Sequence, residues 1–513
     1  MVIALVNIRV KMNNSVRVIL GTKRTLSFLA GLICCLLSAQ SFAHLPDLGD
    51  PADAVITPDE EYRLGQQLLV DVRNQLPMID DAELNYYLSN LGSQLTNVSE
   101  NTNFPFTFAI VDDSTLNAFA MPGGIIVLHR GIIETSESEG ELASVLAHEI
   151  AHVTQRHMAR RFESSKGLSL KTALGVLAAI LIGSQNGEAG QAALYGTLAS
   201  GQSERLAFSR ENEREADRIG REILNNAKYD VNDMTRFFTR LKEASHNNPD
   251  EIVEFLRTHP LTDQRIADSM LARNEQENEI EERDEIDFKF ARARLKALHE
   301  RPDLRRNYLD RKDINAKPEE IYKASLRHYL AGKYPQATDL LNDLREPYTS
   351  LLSVQLLQAR LLAANKNNTA AIKRLQEMDQ LYPDNPAIIE ELSRVWISND
   401  EAPKAYTLLG KYPSLKDVDI NLLKLKAEAA RIIGKSGNSH EALAEYYYYS
   451  GDVVRALEQI KIALRQKNLS SIMRTRLEQN VSDLEPVVKR IRKKQRRQQV
   501  RAPLASGLQA AFK

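Results

Sequence analysis

The chain has 513 residues, 43% of them apolar and 26% charged, with a formal net charge of −1. This ordinary globular composition is too long for one compact core, so two or three domains are expected. The near balance of charge gives no reason to expect nucleic acid as a partner.

Basic residues Arg17, Lys23 and Arg24 precede an apolar run, LSFLAGLICCLLSAQSFA, that ends in small residues around Ala43. Residues 1–43 therefore read as a secretory signal peptide cleaved after Ala43, with Met12 as an alternative start and an uncleaved anchor as the competing reading. Both cysteines, Cys34 and Cys35, lie inside this segment and lack the small residue that a lipidation site wants, so the mature chain has no thiol chemistry. The segment holds five of the 67 basic residues and no acidic ones, leaving a mildly acidic remainder of 62 against 68.

ITPDEEYRLGQQLLVDVRNQL and DAELNYYLSNLGSQL carry apolar residues at helical spacing, with Thr57 and Asp59 placed to cap the first, and predict two amphipathic helices. FPFTFAIVDDSTLNAFAMPGGIIVLHRGII predicts strand, turn and strand around Pro122, Gly123 and Gly124. A helix with SVLAHEIAHVTQRH follows, then an apolar region, then a charged helix, FSRENEREADRIGREILNNA. The expected fold class is mainly α: a helix-rich domain with one small sheet over residues 44–275, followed by an α-solenoid.

Residues 276–315 are dense in charge and read as a solvated helical connector. Beyond it, alanines recur at Ala337, Ala371 and Ala405, each near the start of the second helix of a pair and 34 residues apart, the period of tetratricopeptide repeats. A fourth unit carries Tyr447, Gly451, Ala456, Ile460 and Ala463 at the repeat's offsets, but Ala456 follows Ala405 by 51 residues. An extra helix at about Asn421 to Ile433 is therefore expected, giving about four repeats plus an insertion over residues 316–488. A generic array of helical hairpins would have much the same shape. The basic end, residues 489–513, is predicted to lack fixed structure, with an anionic surface as its speculative ligand.

Residues four apart project from one face of a helix, so His148 and His152 can hold one metal ion while Glu149 faces its open position. That arrangement suits metal-assisted hydrolysis, with Glu149 taking the proton of an activated water. Two histidines leave a zinc short of a protein ligand. The charged helix offers Glu211, Glu213, Glu215 and Asp217, of which Glu213 and Asp217 share a face. Such a pair could supply a ligand and a group that orients an imidazole, while Glu211 and Glu215 would pair with Arg214, Arg218 and Arg221 on a solvated helix. His157, nine residues from His148, is expected on the opposite face and is excluded as a ligand.

NAFAMPGG, ELASVLAHEIAHVTQRH, FSRENEREADRIG and RTHPLTDQRI, in this order and at these distances, resemble the HtpX and CAAX-prenyl-protease family of zinc metallopeptidases, peptidase family M48, over about residues 58–275. The resemblance implies a gluzincin fold, one Zn2+ per chain held by His148, His152 and Glu213, Glu149 as general base and Asp217 as the orienting carboxylate. It also makes AFAMPGGIIV the strand and turn beside the cleft, with Phe119, Met121, Gly123 and Gly124 as tentative substrate contacts at an exposed edge. The alternative is that Phe119 and Met121, with Ile125 and Val127, are ordinary core.

Membrane members of the family carry spanning helices between these motifs. Here Leu168 to Gly183 is shorter than a bilayer requires and holds Lys171, so it is expected to pack on the protein or to touch a membrane surface peripherally. His259 is close enough in sequence to reach the metal as a fourth ligand or lid contact that keeps the enzyme latent, or else it is a turn residue before Pro260. With the signal peptide and repeats, the resemblance implies a periplasmic endopeptidase for misassembled outer-membrane proteins, partnered by the barrel-assembly machinery. The alternative is a repeat-based chaperone or scaffold whose protease domain is latent.

Overall fold

The structure, a computed structural model, describes residues 56–100, 105–164, 210–247, 255–256, 258–272, 283–299, 316–412 and 419–510. These all belong to one compact unit, Pro51–Lys513. The expected signal peptide and the apolar stretch Leu168 to Gly183 lie outside the described residues. Among the described residues, no helix is long and apolar enough to cross a membrane.

Helix α1 (Pro58–Gln75) begins where Thr57 and Glu60 form a reciprocal capping box and Pro58 presets the first turn. Helix α2 (Ala82–Thr96) is capped by Asp81, whose side chain accepts from the Leu84 amide. Strands β1 (Thr107–Val111), β2 (Ala118–Met121) and β3 (Ile125–His129) form one sheet in the order β1-β3-β2, with β3 parallel to β1 and antiparallel to β2. Alternate residues of β3 serve opposite faces. Ile126 and Leu128 meet the leucines of α2, whereas Ile125 and Val127 meet Leu68, Leu69 and Val72 of α1.

The turn between β2 and β3 is set by Gly123 and Gly124, at φ of 76° and 81°. A β-carbon at Gly123 would lie 2.6 Å from the Tyr62 α-carbon, so α1 seats directly on this turn. Phe119 and Met121 are buried beneath α1 in the same cluster as Ile125 and Val127. Their side chains are therefore core, the alternative weighed for them, and the substrate contact expected at this edge is left to the backbone of β2.

After β3 come α3 (Arg130–Thr135), α4 (Glu139–Thr154), α5 (His157–Ser164), α6 (Arg210–Asn226), α7 (Asn232–Asn247) and α8 (Asp263–Ala272). Leu142, Leu146 and Ile150 of α4 share a core with α2, β3, and Ile223 and Leu224 of α6. Helix α4 is thereby enclosed, buried at every residue from Gly140 to Thr154.

Helix α9 (Ile286–His299) lies in the stretch expected to be a solvated connector. Instead it packs on two sides: Phe288, Ala291 and Leu295 complete the first core, while Phe290, Ala293 and Ala297 join Tyr322 and Leu326. The charges that suggested solvation include Arg294, which is buried against Asp81.

The array continues through α10 (Pro318–Leu330), α11 (Tyr334–Leu341), α12 (Leu352–Ala364), α13 (Asn368–Leu381), α14 (Pro386–Ser398), α15 (Ala402–Leu409), α16 (Asn421–Ile432), α17 (Ser436–Tyr449) and α18 (Val453–Leu464). Ala337, Ala371, Ala405 and Ala456 are each the fourth residue of a second helix and each 0% exposed, which is the close crossing their small size permits. Helix α16 lies in the stretch where an inserted helix was expected. The final helix, α19 (Ser471–Ala510), runs on through most of the basic end, so that segment is helical where no fixed structure was expected.

Candidate active site

Ser138 caps α4 by accepting from the Glu141 amide, and the helix then carries His148, Glu149 and His152 into the interior at 4%, 0% and 1% exposure. Helix α6 packs closely against it. A β-carbon at Gly220 would lie 3.3 Å from the His148 amide nitrogen, so a glycine there lets the two backbones approach. That approach brings Glu213 and Asp217 to the histidines, both buried.

Four side chains converge: His148, His152, Glu213 and His259, whose donor atoms all lie within 4.8 Å of one another. His148 Nε2 is 3.1 Å from His152 Nε2 and 3.4 Å from His259 Nδ1. Glu213 stands 3.5 Å from each of the first two nitrogens and 3.2 Å from His259 Nδ1. Ligands at about 2.0–2.1 Å around a tetrahedral metal are separated by roughly 3.3–3.4 Å; these five spacings are close to that, while the pair His152 and His259 is held only to within 4.8 Å.

Behind the donors, Asp217 Oδ1 stands 3.0 Å from His148 Nδ1, a charged contact that faces the ring's Nε2 toward the cluster. Arg265 of α8 donates to both Asp217 oxygens at 2.7 Å and lies 2.8 Å from Glu213, so one guanidinium neutralises two buried carboxylates. Burial alone would lower the His148 pKa, but Asp217 and Glu213 outweigh it and push it up to about 9 in the metal-free chain. Burial pushes His152 well below the ordinary imidazole range. Against burial, His259, His148 and His152 hold Glu213 well below the usual carboxylate range. The site thus favours an ionised glutamate and, without a metal, a protonated His148 whose proton a divalent cation would displace.

Glu149 is the outlier. Neither of its carboxylate oxygens accepts a hydrogen bond from the protein, although the residue is fully buried. His259 Nε2 stands 3.4 Å from one of these oxygens. A buried carboxylate so placed is costly unless something else enters, and a water or substrate group at the metal would fill that need.

A profile of peptidase family M48 matches residues 83–270, and one of the tetratricopeptide repeat matches residues 362–429. The chain is similar to the β-barrel assembly-enhancing protease of Yersinia pestis, 32% identical over 90% of this chain and 95% of that one. It is likewise 31% identical to the Escherichia coli protein of the same name over 88% of this chain and 94% of that one. A putative β-barrel assembly-enhancing protease of Vibrio cholerae is 40% identical over 50% of this chain and 52% of its own. The chain belongs to peptidase family M48. As an M48 metallopeptidase it is an endopeptidase that depends on a metal, and the cluster around His148 is where, among the described residues, three or more ligating side chains meet.

Two residues of this M48 site escaped the sequence reading. Arg265 lies six residues beyond His259 in RTHPLTDQRI, a motif of the resemblance in which only the histidine was given a role. His157 was expected on the far face of one continuous helix, but α4 ends at Thr154 and Arg156 adopts a φ of 50°. The Arg156 guanidinium donates to the Ile56 carbonyl at 2.8 Å and to Glu61 at 3.2 Å, pinning the break against the start of α1. His157 then returns to the site, with Nδ1 2.9 Å from His152 Nδ1 and Nε2 3.0 Å from Glu215. It remains outside the donor set, as expected, for a different reason. Glu215 correspondingly pairs with His157 and Arg160, and Arg218 pairs with Glu222, where pairing between Glu215 and its neighbouring arginines was expected.

Proposed function

We infer that the chain is a zinc endopeptidase of the bacterial periplasm, latent at rest, that acts on misassembled outer-membrane β-barrel proteins and docks them, or the barrel-assembly machinery, through its repeats. The observation that carries this reading is the cluster of four donors within 4.8 Å of one another beside a buried Glu149 whose oxygens accept no hydrogen bond. The names and coverage of the Yersinia and Escherichia relatives support the substrate class. The signal-like segment at residues 1–43 supports the compartment.

His148, His152 and Glu213 would hold the ion, which when bound supplies a Lewis acid for the scissile carbonyl and for water. Glu149 takes a proton from the attacking water and passes it to the nitrogen of the leaving amine, as the water oxygen bonds to the carbonyl carbon and the C–N bond breaks. Asp217 keeps the His148 proton on Nδ1, and Arg265 keeps Asp217 and Glu213 ionised. The outer edge of β2, which flanks α4, would bind an extended peptide through backbone hydrogen bonds.

His259 explains the latency. Its ring is fully buried, with one nitrogen among the donors and the other toward Glu149, so it stands where the reacting water would be. Replacement His259→Ala is expected to raise cleavage of casein, and no gain in activity refutes the blocked resting state. Replacement Glu149→Gln separates enzyme from scaffold: full rescue of an envelope-integrity defect by that variant would refute a proteolytic role.

A further inference from the structure

His152 is held at both ends of its ring. Nε2 faces the donor cluster, and Nδ1 faces His157 Nδ1 at 2.9 Å. Two imidazole nitrogens at that distance share one hydrogen, so one of them donates. The far side of His157 decides which. Its Nε2 is 3.0 Å from the Glu215 carboxylate, an acceptor with no hydrogen to give. Nε2 of a neutral His157 therefore carries the proton, its Nδ1 accepts, and His152 must donate from Nδ1. That leaves the His152 lone pair on Nε2, aimed at the cluster.

We propose that His157, oriented by Glu215, is a positioning residue that fixes the tautomer of His152 and with it the affinity of the site for its ion. The inference rests on the reading of the cluster as a zinc site. It gives the two histidines of α4 separate supports: His148 leans directly on Asp217, whereas His152 leans on a carboxylate one imidazole away. His157 is fully buried, while the Glu215 side chain is 33% exposed and shared with Arg160 at 3.4 Å. The break at Arg156 exists on this account to bring His157 back to His152.

The full chain is tested by competition for zinc against a chromophoric chelator, with the thermal midpoint of the metal-free form as the second readout. His157→Leu, which can accept nothing, is expected to weaken zinc binding about 10–100-fold, the usual effect of losing such a support. His157→Asn places an oxygen where Nδ1 stood and is expected to recover most of that loss. Glu215→Gln, half-way to solvent, is expected to weaken binding by a smaller factor and to leave the metal-free midpoint unchanged. Zinc affinity of His157→Leu equal to that of the native chain would overturn the proposal. Equal weakening in the Asn and Leu variants, accompanied by a lowered metal-free midpoint, would also overturn it, since that is a packing role. Failure of the native chain itself to bind zinc would instead sink the zinc reading along with it.

Discussion

Where the repeat array meets α2, each buried arginine faces carboxylates. Arg294 donates to both Asp81 oxygens at 2.7 and 2.8 Å and reaches Glu83 at 3.0 Å, while Arg360 bridges Glu83 and Glu391. Around His148 the same density of buried charge leaves Glu149 without a protein hydrogen bond. The first region uses charge to fix geometry, joining the α2 end of the peptidase domain to α9, α12 and α14. The second leaves the Glu149 carboxylate without such a partner, as the proposed general base requires. Compensation distinguishes a structural network from a catalytic one.

The contrast can be broken at several points. The largest expected effect is that of Glu149→Gln, which should retain the metal and lower peptide cleavage by about 10²–10⁴-fold, the usual contribution of a general base. Metal content and cleavage rate measured on one preparation would check it, and retained cleavage would remove Glu149 from the mechanism. Next, Arg360→Leu strands Glu391 in the interior and leaves Glu83 to Arg294 alone, and should cost about 3–5 kcal/mol in denaturant unfolding. A loss well under 1 kcal/mol would mean that the network is not buried in solution. Ala371→Leu overfills a helix crossing that is 0% exposed and should cost about 1–3 kcal/mol by the same measurement.

The smallest effect is a pH dependence. Burial alone would raise the Asp81 carboxyl, but Arg294 and the Leu84 amide hold it at about 2 against an ordinary 3.8. A depressed carboxylate stabilises the fold above its ordinary value, and that contribution is lost as pH falls toward about 2. Stability should therefore fall more steeply over that window in the native chain than in Asp81→Asn. Parallel acid titrations of the two unfolding midpoints would show otherwise if Arg294 did not hold Asp81.

Much of the site was legible because its chemistry is local. His148 and His152 share one face by helical geometry with Glu149 beside them, and the family resemblance, not spacing alone, singled out Glu213 and Asp217 on a helix where Glu211 and Glu215 are also four apart. Ala337, Ala371 and Ala405 were legible for a similar reason, since a 34-residue period states the packing of each helix pair. Helix α9 was misread because its charge density hid a helical face, Phe288, Ala291 and Leu295, that the same periodicity would have shown. Phe119 and Met121 could serve cleft or core by pattern alone, and only the position of α1 assigned them to the core.

The sequence by itself brought His148 and His152 to one helix face and set the crossing alanines at a 34-residue period, because such patterns depend on nearby residues. The tertiary structure decided which way His259 enters the site, which guanidinium neutralises Glu213 and Asp217, and that His157 turns back toward His152. Those contacts join residues 48 to 111 positions apart, or hang on the backbone break at Arg156, anchored by a carbonyl 100 residues upstream. No local pattern encodes such a break, since an arginine takes positive φ only when the surrounding fold holds it there.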